Sequence, residues 1–516
     1  PFVRRRSGLL IPEFKFSDDL GTVVNSPIFI VLDETSDIEF SPNMTANRGN
    51  LLETKYRKLW DKTSLNASVF TGYVSTFDEN REAVSAAFIE MDSTIQDDWK
   101  LDLDFKRSSQ DTFLRRYDFS DKTALKSQFN GTKTTNKSHY HVEFSEVQNL
   151  TDTSADLNSP ITLPSITFEK TGKGLIDGRT LKTKMHANHV LHDLGHDISR
   201  WIIQQTSINS KENNFGIFDN EIGYLGSFYY VSKRNDGFTN TGEVARANIH
   251  TSAGWRKYYN YIINDKSLII EPKIKLTFIG GDDKNNDIPN RDSADFRIDS
   301  ANMFLTNRFQ GYDYVLPGAR ADIGLSAFTN SELFGSLHGF AGVSKRHTGK
   351  VPSGLTTGKD TDLSDYVATL SAEKDELYIF SWSGRINSTS SKLDESRTKL
   401  SAKLLNAQLT IAHTQLTENY FTSADGDLEE ATVLISQRLN GGINLSASQN
   451  WDLSNGIVSR DKSSFIISWS DGFQDCLTVS LRYDRDPERD RDIKITETYQ
   501  LLLNFKYLGG VPYDSN

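Results

Sequence analysis

The chain has 516 residues, room for roughly two to four ordinary domains or for one large β-barrel. It is 37% hydrophobic and 25% charged, its mean hydropathy is −0.50, and no run approaches the about 18 consecutive apolar residues of a helical membrane span. A single cysteine, Cys476, excludes a disulfide-rich scaffold and a cysteine-based zinc site, and a formal charge of −11 argues against general nucleic-acid binding.

In chain order, the sequence opens at Pro1 with no Met or leader and reads as a piece of a longer precursor. The first three expected strands cover 8–17, 21–33 and 36–46. They carry Pro12, Pro27 and Pro42 at spacings of 15 and 15. Proline has no N–H for the ladder, so within a sheet it belongs at edges, bulges or weak seams. On residues alone, three strand-end prolines and a weakly zipped sheet edge are both open readings.

Further on, Trp99, Leu101, Leu103 and Phe105 alternate with Lys100, Asp102, Asp104 and Lys106, which gives a strand one greasy face and one charged face. Tyr140, Val142 and Phe144 repeat the pattern. Residues 186–204 read as a strand pair rather than a helix. Polar loops are expected over 281–293 and 350–365. Val433 and Ile435 lead through Asn440-Gly441-Gly442 into Ile443 and Leu445, a hairpin signal, and Leu477, Val479, Leu481 and Tyr483 form a late alternating strand.

Strict alternation fits soluble β-sandwiches, whose polar faces meet water, and a transmembrane barrel, whose polar face lines a wet lumen. The barrel is favoured by the absence of linker-like runs and by the long polar loops. Scarce proline (12 residues) and abundant aromatics (11%) point the same way, with Trp60, Trp99, Tyr229, Tyr230 and Tyr507 near expected strand ends as an interfacial girdle.

Particular segments carry a family resemblance. Arg4-Arg5-Arg6-Ser7-Gly8-Leu9-Leu10-Ile11-Pro12 and Ser26-Pro27-Ile28-Phe29 resemble the entry of the C-terminal barrel of the LptD (OstA/Imp) family. So does the segment from Arg48-Gly49-Asn50 to Tyr56-Arg57. Ile288-Pro289-Asn290-Arg291-Asp292-Ser293, Asn302-Met303-Phe304, Asn307 to Asp313 and Gly318-Ala319-Arg320 resemble its central block, with Met303 and Arg291 as departures. Ser353-Gly354-Leu355, Ser364 to Val367, and Cys476 through Gly510 extend the likeness to the end of the chain.

The resemblance implies an all-β, large transmembrane antiparallel barrel of about 26 strands with a lateral seam between first and last strands. It implies residues 1–7 as the end of a linker from an N-terminal periplasmic domain, 8–508 as the outer-membrane barrel and 509–516 as a tail. It further implies insertion of lipopolysaccharide into the outer leaflet, an LptE-like lipoprotein plugging the lumen, an LptA-like periplasmic bridge acting through the N-terminal domain, and contact with outer-membrane lipids. Enzyme activity, cofactors and nucleic-acid partners are not expected. Pro12 and Pro27 fall where the family carries prolines, so the lateral gate is expected there, facing a last strand over 498–507; Pro42 shapes the third strand. Cys476 is expected either to pair with a cysteine in the upstream domain or to stay a free thiol.

Other candidates weigh less. Arg4, Arg5 and Arg6 read as a phosphate- or lipopolysaccharide-contacting cluster or as a charged rim. His186, His189, His192 and His196 would gather on one face of a helix but disperse on strands, so no metal site is expected there. Asp282, Asp283 and Asp287 read as solvated loop acids, and no nucleophile–base or paired-carboxylate constellation is evident. The competing readings are another outer-membrane transporter or porin, and a soluble β-sandwich adhesin.

Overall fold

The computed structural model describes residues 5–75, 81–151, 160–174, 176, 178–192, 196–232, 242–263, 265–293, 298–349, 362–417, 427–454, 459–470, 477–487 and 495–505. Among them, 29 strand segments form one antiparallel sheet that closes on itself. Three barrel strands come in two pieces each. Gly8–Leu9 and Glu13–Ser17 make the first strand, and Gly21–Asn25 and Ile28–Asp33 make the second. Gly242–Arg256 and Tyr259–Ile263 lie end to end along Lys266–Gly281. The barrel therefore has 26 strands. The strand pair expected over 186–204 is present, as the facing parts of Thr180–His192 and Asp197–Asn213.

Alternation sets the two faces. On the outside, Met91, Leu103, Phe129 and Phe144 lie opposite one another across four strands. Ile274 and Leu276 are likewise exposed, Leu276 to 56%. Inside, Glu90, Asp104 and Gln128 share a row. An apolar exterior over a polar interior is the arrangement lipid selects, because closing the sheet leaves no unpaired backbone in hydrocarbon.

The two barrel ends differ. Turns such as 214–215 and 405–406 are short, and both the first and last strands reach this end. The opposite end carries 109–123, the described stretches 282–293 and 298–317 of a second loop, and 347–349 and 362–365 of a third. Short turns mark the periplasmic side and long loops the extracellular side. Two of those loops fold inward and build the buried core within the lumen. Phe113 and Leu114, from the short helix Phe113–Arg116, pack with Leu20, Leu51, Phe70, Val74, Leu125 and Leu150. Ile288 packs with Ile198, Tyr229 and Val231. Tyr229, expected in the lipid-facing girdle, is fully buried and points inward, whereas Tyr230 is exposed. Alternation makes the two neighbours opposite in aspect. Tyr507 lies outside the described residues.

Leu103→Arg should cost about 2–4 kcal/mol in bilayer unfolding, whereas Ser480→Arg on the luminal face should stay within about 0.5 kcal/mol. Denaturant titration of folded, heat-modifiable protein measures both.

Candidate functional site

The barrel closes through a short ladder. Phe14, Lys15, Phe16 and Ser17 lie opposite Leu501, Gln500, Tyr499 and Thr498, and the described pairing stops after those four. One more contact, Asp18 N–H to the Glu497 carbonyl at 3.4 Å, continues it toward the extracellular end. By contrast, Asp197–Asn213 pairs with Gly216–Ser232 along all 17 residues. Carried two residues further, the seam register sets Pro12 level with Leu503. The closing ladder thus ends where the first strand breaks.

The three prolines occupy one row. Leu9 lies opposite Ile28 and Glu13 opposite Asn25, so Leu10, Ile11 and Pro12 pass against only Ser26 and Pro27. This is a bulge, bridged by Leu10 N–H donating to the Pro27 carbonyl at 2.8 Å. Asn25 lies opposite Asn43 and Ile28 opposite Phe40, which sets Ser26 level with Pro42 and Pro27 level with Ser41. Pro42 sits inside the unbroken strand Ser36–Thr45, opposite Leu52 on its other edge. Because antiparallel neighbours run in opposite directions, it is these registers, and not the spacing of 15 alone, that set the three prolines level. Above the row, Glu13–Ser17 and Gly21–Asn25 form a two-stranded flap. Below it, on the periplasmic side, the first and last strands share no ladder among the described residues.

The lumen beside the seam is charged. Glu39 and Asp37 face Lys55 and Arg57, with Arg57 Nε 2.6 Å from Asp37. Arg5 joins this network through Asp37 and lies over the Phe29 ring, 5.7 Å from its centroid. Arg6 is exposed, and Arg4 and Cys476 lie outside the described residues.

On the far wall, the 282–317 loop is held by buried charges. Arg200 Nη1 lies 2.6 Å from Asp292 and 2.8 Å from Asp313. Each carboxylate also accepts backbone N–H groups next to the other: Arg291 and Asp292 donate to Asp313, and Tyr312 and Asp313 donate to Asp292. Burial pushes the Asp313 carboxyl up to about 6 against the pull of Arg200. Asp292 is also penalised by burial, but Arg200 and the Tyr312 and Asp313 N–H groups hold it below the usual carboxylate range. Arg246 donates to the carbonyls of Tyr312 and Asp313 at 2.6 and 2.7 Å, and the Tyr229 hydroxyl donates to Tyr312 at 3.0 Å. Arg308 of the same loop and Arg320 of the strand Gly318–Ser331 share Asp322 of that strand.

Asn285, read from sequence as part of a solvated acidic loop, is buried, and its side chain pins both backbone groups of Val315. His186 stacks on Tyr312 inside the barrel, while His189 lies on the opposite face and bonds Ser199. No cluster of three or more metal-ligating side chains occurs among the described residues. Arg200 and Arg246 escaped sequence reasoning, and Tyr229 was read only as a girdle residue. The available signal was an arginine near one end of each of two strand faces whose other formal charges, Glu212 and Arg256, lie at the far end.

Arg200→Ala would leave two carboxylates buried beside each other and should weaken loop docking by about 3–5 kcal/mol. Hydrogen exchange at the Asp292, Tyr312 and Asp313 amides should accelerate by two or more orders of magnitude, with protection at strand centres kept.

Comparison with known proteins places the chain in a family. The family model "LptD: LPS transport system D" matches residues 83–437. The LPS-assembly protein LptD of Pseudoalteromonas translucida is 23% identical over 351 residues, covering 65% of this chain and 45% of that protein. Its counterpart in Shewanella denitrificans is 18% identical, covering 63% and 43%. The chain therefore spans less than half the length of these two curated relatives. Among solved structures, the FrpB iron transporter of Neisseria meningitidis aligns with 98% of this chain and 82% of its own at 9% identity and a TM-score of 0.36, too loose a superposition to bear on function. Taken with the closed barrel, the family match makes the chain an integral outer-membrane protein of the LptD family.

Proposed function

We propose that this barrel delivers lipopolysaccharide to the outer leaflet through the seam between its first and last strands. The observation that carries the reading is the four-pair closing ladder ending at a row of prolines. Lipopolysaccharide joins acyl chains that belong in hydrocarbon to a long hydrophilic saccharide. A lateral slot lets the saccharide travel along the polar lumen while the acyl chains stay in lipid. Each ladder bond contributes about 0.5–1.5 kcal/mol net in water, and an unmade one costs more in hydrocarbon, so a seam of four pairs parts far more readily than its neighbours.

In this reading Pro12 and Pro27 mark the gate and its hinge, and Pro42 keeps the third strand from re-zipping the row. Residues 1–7 lead from an N-terminal periplasmic domain, 8–508 form the barrel and 509–516 form a tail. The periplasmic domain accepts lipopolysaccharide from an LptA-like bridge, and an LptE-like lipoprotein fills the lumen. Cys476 pairs with a cysteine of the upstream domain, as an oxidising compartment favours. Arg4 and Arg6 meet lipid phosphates at the periplasmic mouth, and Arg5 serves the rim through Asp37. Transport of this kind breaks no covalent bond in the barrel, which makes the protein a conduit and not an enzyme.

Replacing Pro12 and Pro27 together by Ala should restore up to two ladder donors and slow arrival of lipopolysaccharide at the cell surface by about five- to hundredfold. Surface labelling of newly made lipopolysaccharide reads this directly, and an unchanged rate would sink the gate assignment. A disulfide formed across the seam by Phe16→Cys with Tyr499→Cys should stop delivery until it is reduced.

A further inference from the structure

We infer that the 109–123 loop is a luminal latch that holds the gate flap shut, an inference that rests on reading the seam as the exit. The flap is gripped by its neighbours unequally. Toward the last strand it has four ladder pairs. Toward the third strand, Val23, Val24 and Asn25 pair with Thr45, Met44 and Asn43, and Ala46 and Asn47 N–H groups donate to Thr22 and Leu20. On its inner surface it meets the loop through three separate contacts.

The first is apolar. Leu20, in the turn at the flap tip, and Val23 belong to the buried cluster that includes Phe113 and Leu114. The second is at the tip, where Asp19 is shared by Arg116 of the loop, at 3.3 Å, and by Arg48 of the fixed wall, with Nε at 2.9 Å. The third is at the seam itself. Lys15 points into the lumen from the strand that pairs with the last strand, and its ammonium is bound by Asp118. Asp118 follows the helix Phe113–Arg116 in a left-handed conformation (φ 58°), which closes that helix and turns the chain beneath the flap.

The loop's far side is fastened to strands that stay in place. The Tyr117 hydroxyl donates to Gly49 at 3.1 Å, Arg116 donates to the Ser75 carbonyl at 2.8 Å, and Arg115 donates to the Leu150 carbonyl at 3.1 Å. Phe119 packs on Phe70 with ring centroids 4.6 Å apart. The loop therefore ties the moving hairpin to the rigid wall, and parting the seam by a swing of the flap about the proline row has to break Lys15–Asp118 and withdraw Leu20. The Asp118 side chain is 59% exposed and that of Lys15 is 13% exposed, so the ion pair is within reach of whatever enters the lumen. An anionic group arriving beside Lys15 competes with Asp118 for it, which couples cargo to release.

The experiment follows disulfide formation between Phe16→Cys and Tyr499→Cys in the full-length protein in native membranes, read by mass spectrometry of the linked peptides. Asp118→Lys should repel Lys15, let the flap swing, and lower the rate of linkage by about two- to fivefold. The exchanged pair Lys15→Glu with Asp118→Lys should bring the rate back. Unchanged linkage in Asp118→Lys, or a drop that the exchange fails to restore, would show the loop to be a static plug and overturn the latch. Linkage reports the seam and not delivery. A seam-linked protein that still moved lipopolysaccharide to the surface would overturn the delivery reading alone.

Discussion

A bilayer offers no hydrogen bonds, so a sheet inside it must satisfy every backbone group by closing on itself. The rest of this molecule follows from that constraint. Long ladders, such as the 17 pairs between Asp197–Asn213 and Gly216–Ser232, make most strand boundaries effectively permanent. Closure needs one further ladder between the chain's two ends, and here it is only four pairs long. Weakness at that boundary begins at the proline row and continues below it, where the first and last strands share no ladder among the described residues. Above it the flap is laddered on both sides, and below it the second and third strands are paired again from Ile28 to Asp33.

The fold was legible because lipid and lumen impose opposite demands on neighbouring residues, and a two-residue period is hard to mistake when one face reads Trp99, Leu101, Leu103, Phe105. The placing of the prolines, one in each of the first three strands, was legible too. Their consequence was not. Whether Pro12 ends a ladder depends on the partner that register assigns it, and Leu503 is almost five hundred residues away. The inward loops were hidden for a related reason. Phe113 and Leu114 sit in a polar stretch, and Asp292 and Asp313 look like surface acids until Arg200, 92 and 113 residues distant, is placed beside both. Local pattern reports the side a residue faces. It carries no information on what a loop does after leaving the membrane.

Tyr229 illustrates the limit most sharply. As half of a Tyr-Tyr pair near a strand end it has the composition of an interfacial anchor, yet only Tyr230 is exposed. The barrel has two surfaces at every strand end, and an amphipathic aromatic suits either: its ring fills the lumen beside Ile288 while its hydroxyl reaches the Tyr312 carbonyl.

The protein places its apolar core where a pore would be. Most of its greasy exterior gains nothing from packing against itself, so the close-packed clusters form where loops fold back into the lumen. This separates two kinds of stability. The wall is held by backbone bonds that lipid makes costly to break, and the lumen filling is held by side-chain contacts and ion pairs that water can enter and compete for. A gate in the wall alone would have to open against the bilayer. A flap whose outer bonds are few and whose inner bonds are side-chain contacts can be released from the wet side. On the delivery route proposed above, the proline row would determine where the barrel parts, and the luminal loop behind Lys15 would hold it closed until then.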